Sequence, residues 1–139
     1  MDNQSNLQAW GLTILRVVVG VVFVMHGGQK FQMGFGNVAG YLGSVGVPLP
    51  SIAAIVLTLV EFLGGIALVA GAFTRWVALL FVIDMAVAIV LVRLKDGFFT
   101  PQGPEFELTL LAASLALAMA GGGAASLDRR MAKKPAVVR

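Results

Sequence analysis

The sequence predicts an all-α protein: an integral membrane four-helix bundle with both termini cytoplasmic. Three observations carry this reading. Of the 139 residues, 58% are hydrophobic and only 12% charged, about half the charge of a soluble domain, and the mean hydropathy is +0.91. Apolar runs recur along the chain, close to the ~20 residues that cross a ~30 Å hydrocarbon core at ~1.5 Å per residue. The ionisable residues inside these runs are few and isolated, a pattern of polar groups turned toward a bundle interior. A fully buried soluble bundle is the competing reading, and so few charges over such continuous runs disfavour it.

Composition removes several chemistries. The chain has no cysteine, which excludes disulfides, thiolate catalysis and cysteine-held iron–sulfur or zinc sites. With one histidine, a single copy cannot supply bis-histidine haem ligation, and no metal site is expected. The net charge of +3 gathers in the C-terminal tail. It lacks the spread of basic and aromatic residues that binds nucleic acid, so the expected partners are the lipid bilayer and other membrane proteins or further copies of the chain.

The first long run, Leu12 to Lys30, carries Arg16 inside it. A cleaved signal peptide fits poorly: there is no basic leader segment, Asp2 is acidic, and no small-x-small site follows. A retained span over about residues 7–29 is expected. On a helix, Arg16, Gly20, Phe23, Gly27 and Lys30 share one stripe, with His26 one turn before Lys30. The Gly-rich stretch from Phe31 to Pro50 is either a short helix capped by Asn37 or an ordered interfacial loop. Pro48 and Pro50 end it and Ser51 is placed to cap the second span, about 51–71, with Glu61 near its middle. A tight turn leads to the third span, about 76–92, with Trp76 as an interface anchor and Asp84 inside. The loop RLKDGFFTPQGP follows, and its two phenylalanines suit an interface. Pro104, Glu105 and Glu107 open the fourth span, about 105–120. Gly121 to Gly123 close it. Residues 1–130 thus form one membrane domain and 131–139 a basic cytoplasmic tail. Four spans place both termini on one side with Arg75, Arg129, Arg130, Lys133, Lys134 and Arg139, which the positive-inside rule assigns to the cytoplasm.

Depth along each helix brings Arg16, Glu61 and Asp84 to similar levels, about 12–15 Å into the bilayer. This predicts a buried cluster of one base and two acids, in which one carboxyl stays protonated. Structural glue that fixes helix register explains such a cluster as well as function does. The glycines after Glu61 are read as helix packing. At the other face, His26 and Lys30 end the first helix where Glu105 and Glu107 begin the fourth, with Arg93 and Lys95 in the adjoining loop. Such a group passes protons or holds a polar head group. Glu105 and Glu107 lie on nearly opposite helix faces and cannot share one site. Glu107 reads more simply as a helix-start carboxylate, and His26 as a hydrogen-bonded interfacial histidine.

The chain resembles the DoxX family of small bacterial four-helix membrane proteins. The resemblance rests on the R…G…HGGQK pattern from Arg16 to Lys30, E-x-x-G-G from Glu61 to Gly65 and the GA-x-TR turn from Gly71 to Arg75. It rests also on GFF at Gly97 to Phe99, G-x-EFE at Gly103 to Glu107 and SLD at Ser126 to Asp128. The GGGAASLD ending departs from the Gly-Pro-Gly-like turn often found there. The resemblance implies a multi-pass protein of the bacterial inner membrane, associated with a quinone-linked or other redox complex. Relatives include a subunit of a thiosulfate:quinone oxidoreductase, while many members have no assigned activity. The chain carries no redox centre, so the implied cofactor is a quinone or a partner's group. Candidate cofactor-binding residues are Arg16, His26, Lys30, Glu61, Asp84 and Glu105; whether the chain is itself catalytic stays open. A purely structural accessory subunit is the alternative, and a small transporter a third.

Overall fold

The computed structural model describes residues 3–95 and 97–133, so residues 134–139 of the basic tail lie outside it. All regular structure among the described residues is helical: α1 (Asn3–Met33), α2 (Phe35–Ser44), α3 (Pro50–Ala70), α4 (Thr74–Ala88), α5 (Glu105–Ala120) and α6 (Leu127–Ala132). A π-helical turn, Ile89–Arg93, continues α4. Three helices are long and apolar enough to cross a membrane among the described residues: α1, α3, and α4 with its π-turn. α5 has 16 residues, about 24 Å of helix against a ~30 Å core.

The buried face of α1 is the stripe that spacing predicts, with Arg16, Gly20, Phe23 and Gly27 all inside. α1 extends beyond the predicted 7–29 at both ends and stops at Gly34, whose φ of 82° leaves the helical region. It packs antiparallel on α3, backbone against backbone. A Cβ added at Gly65 would lie 2.7 Å from the Val24 nitrogen, and one at Gly27 would lie 2.6 Å from the Phe62 nitrogen. Lipid tails offer no hydrophobic drive between helices, so such close approach is how they hold together.

The stretch left open between helix and loop is helix α2. Val38 and Leu42 bury against Ala54 of α3. Asn37 does not cap it: the helix begins earlier, and Asn37 Nδ2 donates to the Met33 carbonyl at 2.8 Å. Nor does Ser51 cap α3. That helix starts at Pro50, whose fixed φ suits a first position, behind Leu49 in a left-handed conformation.

α5 runs beside α4 and brings the chain back to the end where it began; there Ala124 N donates to the Ala9 carbonyl at 2.9 Å. This is the near end, and the opposite one the far end. Trp10 and Trp76 are exposed at the near end and Phe98 and Phe99 in the far loop, matching aromatic anchors at two interfaces. Helix α6 straddles the expected boundary between the membrane domain and the tail. Its signal was present: Ser126 caps it, accepting from Arg129 N at 3.2 Å, and Asp128 sits in its first turn.

The core centres on Phe23 and Phe81, stacked with ring centroids 3.6 Å apart, amid Val19, Leu68, Ala78 and Leu117. α3 meets α4 there through Gly64, where a Cβ would lie 3.1 Å from the Phe81 ring. Gly65→Val is therefore expected to destabilise the fold by about 1–3 kcal/mol through overpacking, read as a lower melting temperature in detergent. Gly11→Ala, with open space around it, is expected to leave melting unchanged or slightly raised.

Candidate ligand-binding site

The structure separates the predicted Arg16–Glu61–Asp84 cluster and rebuilds it with a different base. Arg16 is 1% exposed and turns toward the near end. Its Nη1 donates to the carbonyls of Leu68 (2.8 Å) and Val69 (2.9 Å), and its Nη2 to Ala125 (2.7 Å). The last carbonyls of a helix lack intrahelical donors and carry negative partial charge, so a guanidinium suits the end of α3. Depth measured along the helix axis misses this because it ignores the reach of a long side chain.

The base that joins Glu61 is Lys30. Its ammonium lies 2.5 Å from Glu61 Oε2, with the carboxylate almost wholly buried. Lys30 was expected at the far face. Side chains on a helix lean toward its N-terminus, and here that direction carries the ammonium back into the bundle. Glu61 lies about 16 Å along α3 from Pro50, and Asp84 about 15 Å along α4 from Thr74, close to mid-depth. Asp84 lies beside Glu61 and Lys30 and lines the same cavity. Its buried Oδ2 has no partner among the described polar groups.

A second ion pair stands close by. Arg93, at the end of the π-turn, donates from Nε to Glu107 Oε1 at 2.8 Å and from Nη1 to the Pro101 carbonyl at 2.9 Å. Glu107 is the carboxylate that sequence reasoning set aside. A usable signal was its spacing to Ser114, two turns on, which places both on the buried face of α5. Glu105 points away; it accepts from Thr100 N at 2.8 Å and from the Thr100 hydroxyl, and so ties the loop to the helix. His26 is exposed, with Nδ1 2.8 Å from the Val22 carbonyl and its ring 5.9 Å from that of Phe106. A carbonyl only accepts, so Nδ1 carries the proton and, in the neutral ring, Nε2 offers a lone pair.

Lys30, Glu61, Asp84, His26, Arg93 and Glu107 all line one cavity of about 640 Å³ whose floor includes Phe23 and whose walls are mostly apolar. Ligand sites have this form: concave, apolar and of a few hundred Å³, with a few convergent polar groups. No group of three or more metal-ligating side chains occurs among the described residues.

These features define a small helical membrane protein with a polar cluster at the bottom of an apolar cavity. The chain matches the DoxX family over residues 11–94 and belongs to it. It is 38% identical over 118 residues to the Bacillus subtilis protein named Putative oxidoreductase CatD, covering 85% of this chain and 84% of that one. It is 35% identical over 125 residues to Inner membrane protein YphA of Escherichia coli, covering 86% and 89%. A Haemophilus influenzae protein is 33% identical over 138 residues, covering 96% of this chain and 100% of its own length. No solved structure gives a significant match.

The near end has its own dependence on charge. The Asp128 carboxylate accepts from Phe73 N at 2.7 Å and Thr74 N at 2.9 Å, capping α4 from another segment. Partial burial alone would push this carboxyl up; hydrogen bonds from Thr74 and Phe73 and the nearby Arg16 charge outweigh it and hold it below the usual aspartate range. Its stabilisation is therefore complete above the ordinary aspartate value of ~3.9 and is lost as pH falls through the lowered folded value. Asp128→Asn is expected to remove that acid-side step from a melting-temperature profile. Arg16→Leu is expected to destabilise by about 3 kcal/mol, since it strips three carbonyls of a charged donor, with Arg16→Lys intermediate; thermal unfolding in detergent checks both.

Proposed function

We propose that this protein is a redox-associated subunit of the bacterial inner membrane that holds a quinone head group in the far-half cavity. The observation that carries the reading is the placement of Lys30, Glu61 and Asp84 together at mid-depth in an apolar cavity of about 640 Å³. An intramembrane ionisable group is costly, and such groups mark functional sites by default. The name of the Bacillus subtilis relative supports the redox side of the reading.

The residues fit a flat ring bearing two oxygens. An ammonium has three donors, and Glu61 takes one of Lys30's, leaving capacity for a ring carbonyl. Phe23, stacked on Phe81, closes the cavity beneath. A bound quinone supplies electron acceptance, which the side chains of this polypeptide cannot. Lys30 binds and orients an oxygen. The Glu61 and Asp84 carboxyls stand next to it. Arg93 and Glu107 form a second polar station toward the far end. The electrons come from a partner or from a second bound molecule.

In this reading α5 is the fourth crossing, helped by the loop before it, and the near end faces the cytoplasm with Arg75, Arg129, Arg130 and Lys133. A C-terminal fluorescent-protein fusion is expected to light up in the cytoplasm while a C-terminal periplasmic phosphatase fusion stays inactive; the reverse pattern contradicts the topology. For the site, Glu61→Gln and Asp84→Asn are expected to weaken binding of a quinone analogue to the purified protein by about tenfold, or ~1.4 kcal/mol, while the helical spectrum is retained. Unchanged affinity in both variants would falsify the head-group assignment.

A further inference from the structure

The cavity has a shape that its polar end does not require. Its outer part is a long apolar groove between α3 and α4, walled by Val56 and Val60 on one side and Leu80, Ile83 and Val87 on the other. The two helices touch in their near halves, where Gly64 lies against Phe81 and Val77, and leave the groove between them toward the far end. Leu80, Ile83 and Val87 fall at steps of three and four, so they form one stripe on α4. They are open to the surroundings: Val56 is 53% exposed and Ile83 55%. Both helices are long and apolar enough to span the membrane. At this depth an opening between them faces hydrocarbon, not water.

From these features we infer that the groove is a lateral portal, and that the ligand is an amphiphile whose hydrocarbon tail lies along the α3–α4 groove while its head reaches the Lys30–Glu61–Asp84 cluster. The inference rests on the head-group reading above and adds the substrate class and the route. Continuity decides for a tailed ligand: one cavity runs from exposed valine, leucine and isoleucine to the buried ion cluster. A small polar solute would need a wet path, and this wall offers it no hydrogen-bond partner. Toward the α3–α4 opening the lining is apolar, while its polar side chains lie inward and toward the far end, His26, Gln29, Arg93 and Glu107 among them, so an amphiphile sets its tail in the opening and its ring inward. A tail that leaves lipid for an equally apolar groove gains little free energy. The groove therefore governs access and orientation more than affinity.

The test fills the groove. Wild type, Ile83→Trp and Val56→Trp are reconstituted in lipid nanodiscs, and binding of a decyl-tailed quinone is compared with that of the same ring without a tail. Concentrations are those in the lipid phase, and melting temperatures are measured in parallel. Either tryptophan is expected to slow association of the tailed ligand by about tenfold or more, by blocking the tail's path, while association of the tail-free ring changes by less than about twofold. Two variants on opposite walls guard against one that merely folds poorly. Equal effects on both ligands, or no effect on either, overturn the portal and leave the head-group reading standing. Failure of wild type to bind either ligand overturns the head-group reading and the portal with it.

Discussion

A charge placed at membrane depth must find a partner there, and each basic side chain in this bundle solves the problem differently. Arg16 is wrapped by three carbonyls at the end of α3 and the start of the C-terminal segment. Lys30 is matched by a buried carboxylate at mid-depth. Arg93 is shared between Glu107 and loop carbonyls at the far end. The first arrangement ties three segments of chain together through the two Nη atoms of one buried guanidinium. The second leaves donors free beside a cavity. The same constraint thus produces a structural latch at one end of the molecule and a site in its middle.

Glycine determines how the two arrangements are spaced. Because α1 and α3 touch backbone to backbone at Gly20, Gly27 and Gly65, Arg16 and Lys30 are pinned against opposite ends of the contact. α4 packs on α3 in the near half through Gly64, which lies against Phe81 and Val77. Toward the far end the cavity lies between the two helices. The latch at the near end, where Asp128 caps α4 and Arg16 holds α3, fixes the base from which the helices diverge. Stability and site are therefore built at different levels of one bundle.

Much of this was legible in the chain. The apolar runs gave the three long helices, and the limits of α5 matched the expected 105–120. The α1 stripe from Arg16 to Gly27 identified the buried face, because helical periodicity is local. Partner choice was not legible. The depth estimates for Arg16 and Lys30 followed the backbone, while each long side chain finds its partner away from that level, Arg16 on the carbonyls ending α3 and Lys30 on Glu61. Glu107 was passed over because two acids at a helix start are explained by the helix dipole alone, and only the tertiary position of Arg93 separates it from Glu105. α6 needed nothing beyond its own sequence: the Ser126 cap was there to be read.

The central claim is that the Lys30–Glu61–Asp84 level is where a lipid-soluble head group rests. Photolabelling of the reconstituted protein with an azido-quinone, followed by peptide mapping, tests it most directly. The account predicts labelling on α1 around His26–Lys30, on α3 around Glu61 and on α4 around Asp84, with competition by unlabelled quinone. Labelling spread over the lipid-facing surface, or confined to the near end around Arg75 and Trp76, would contradict it.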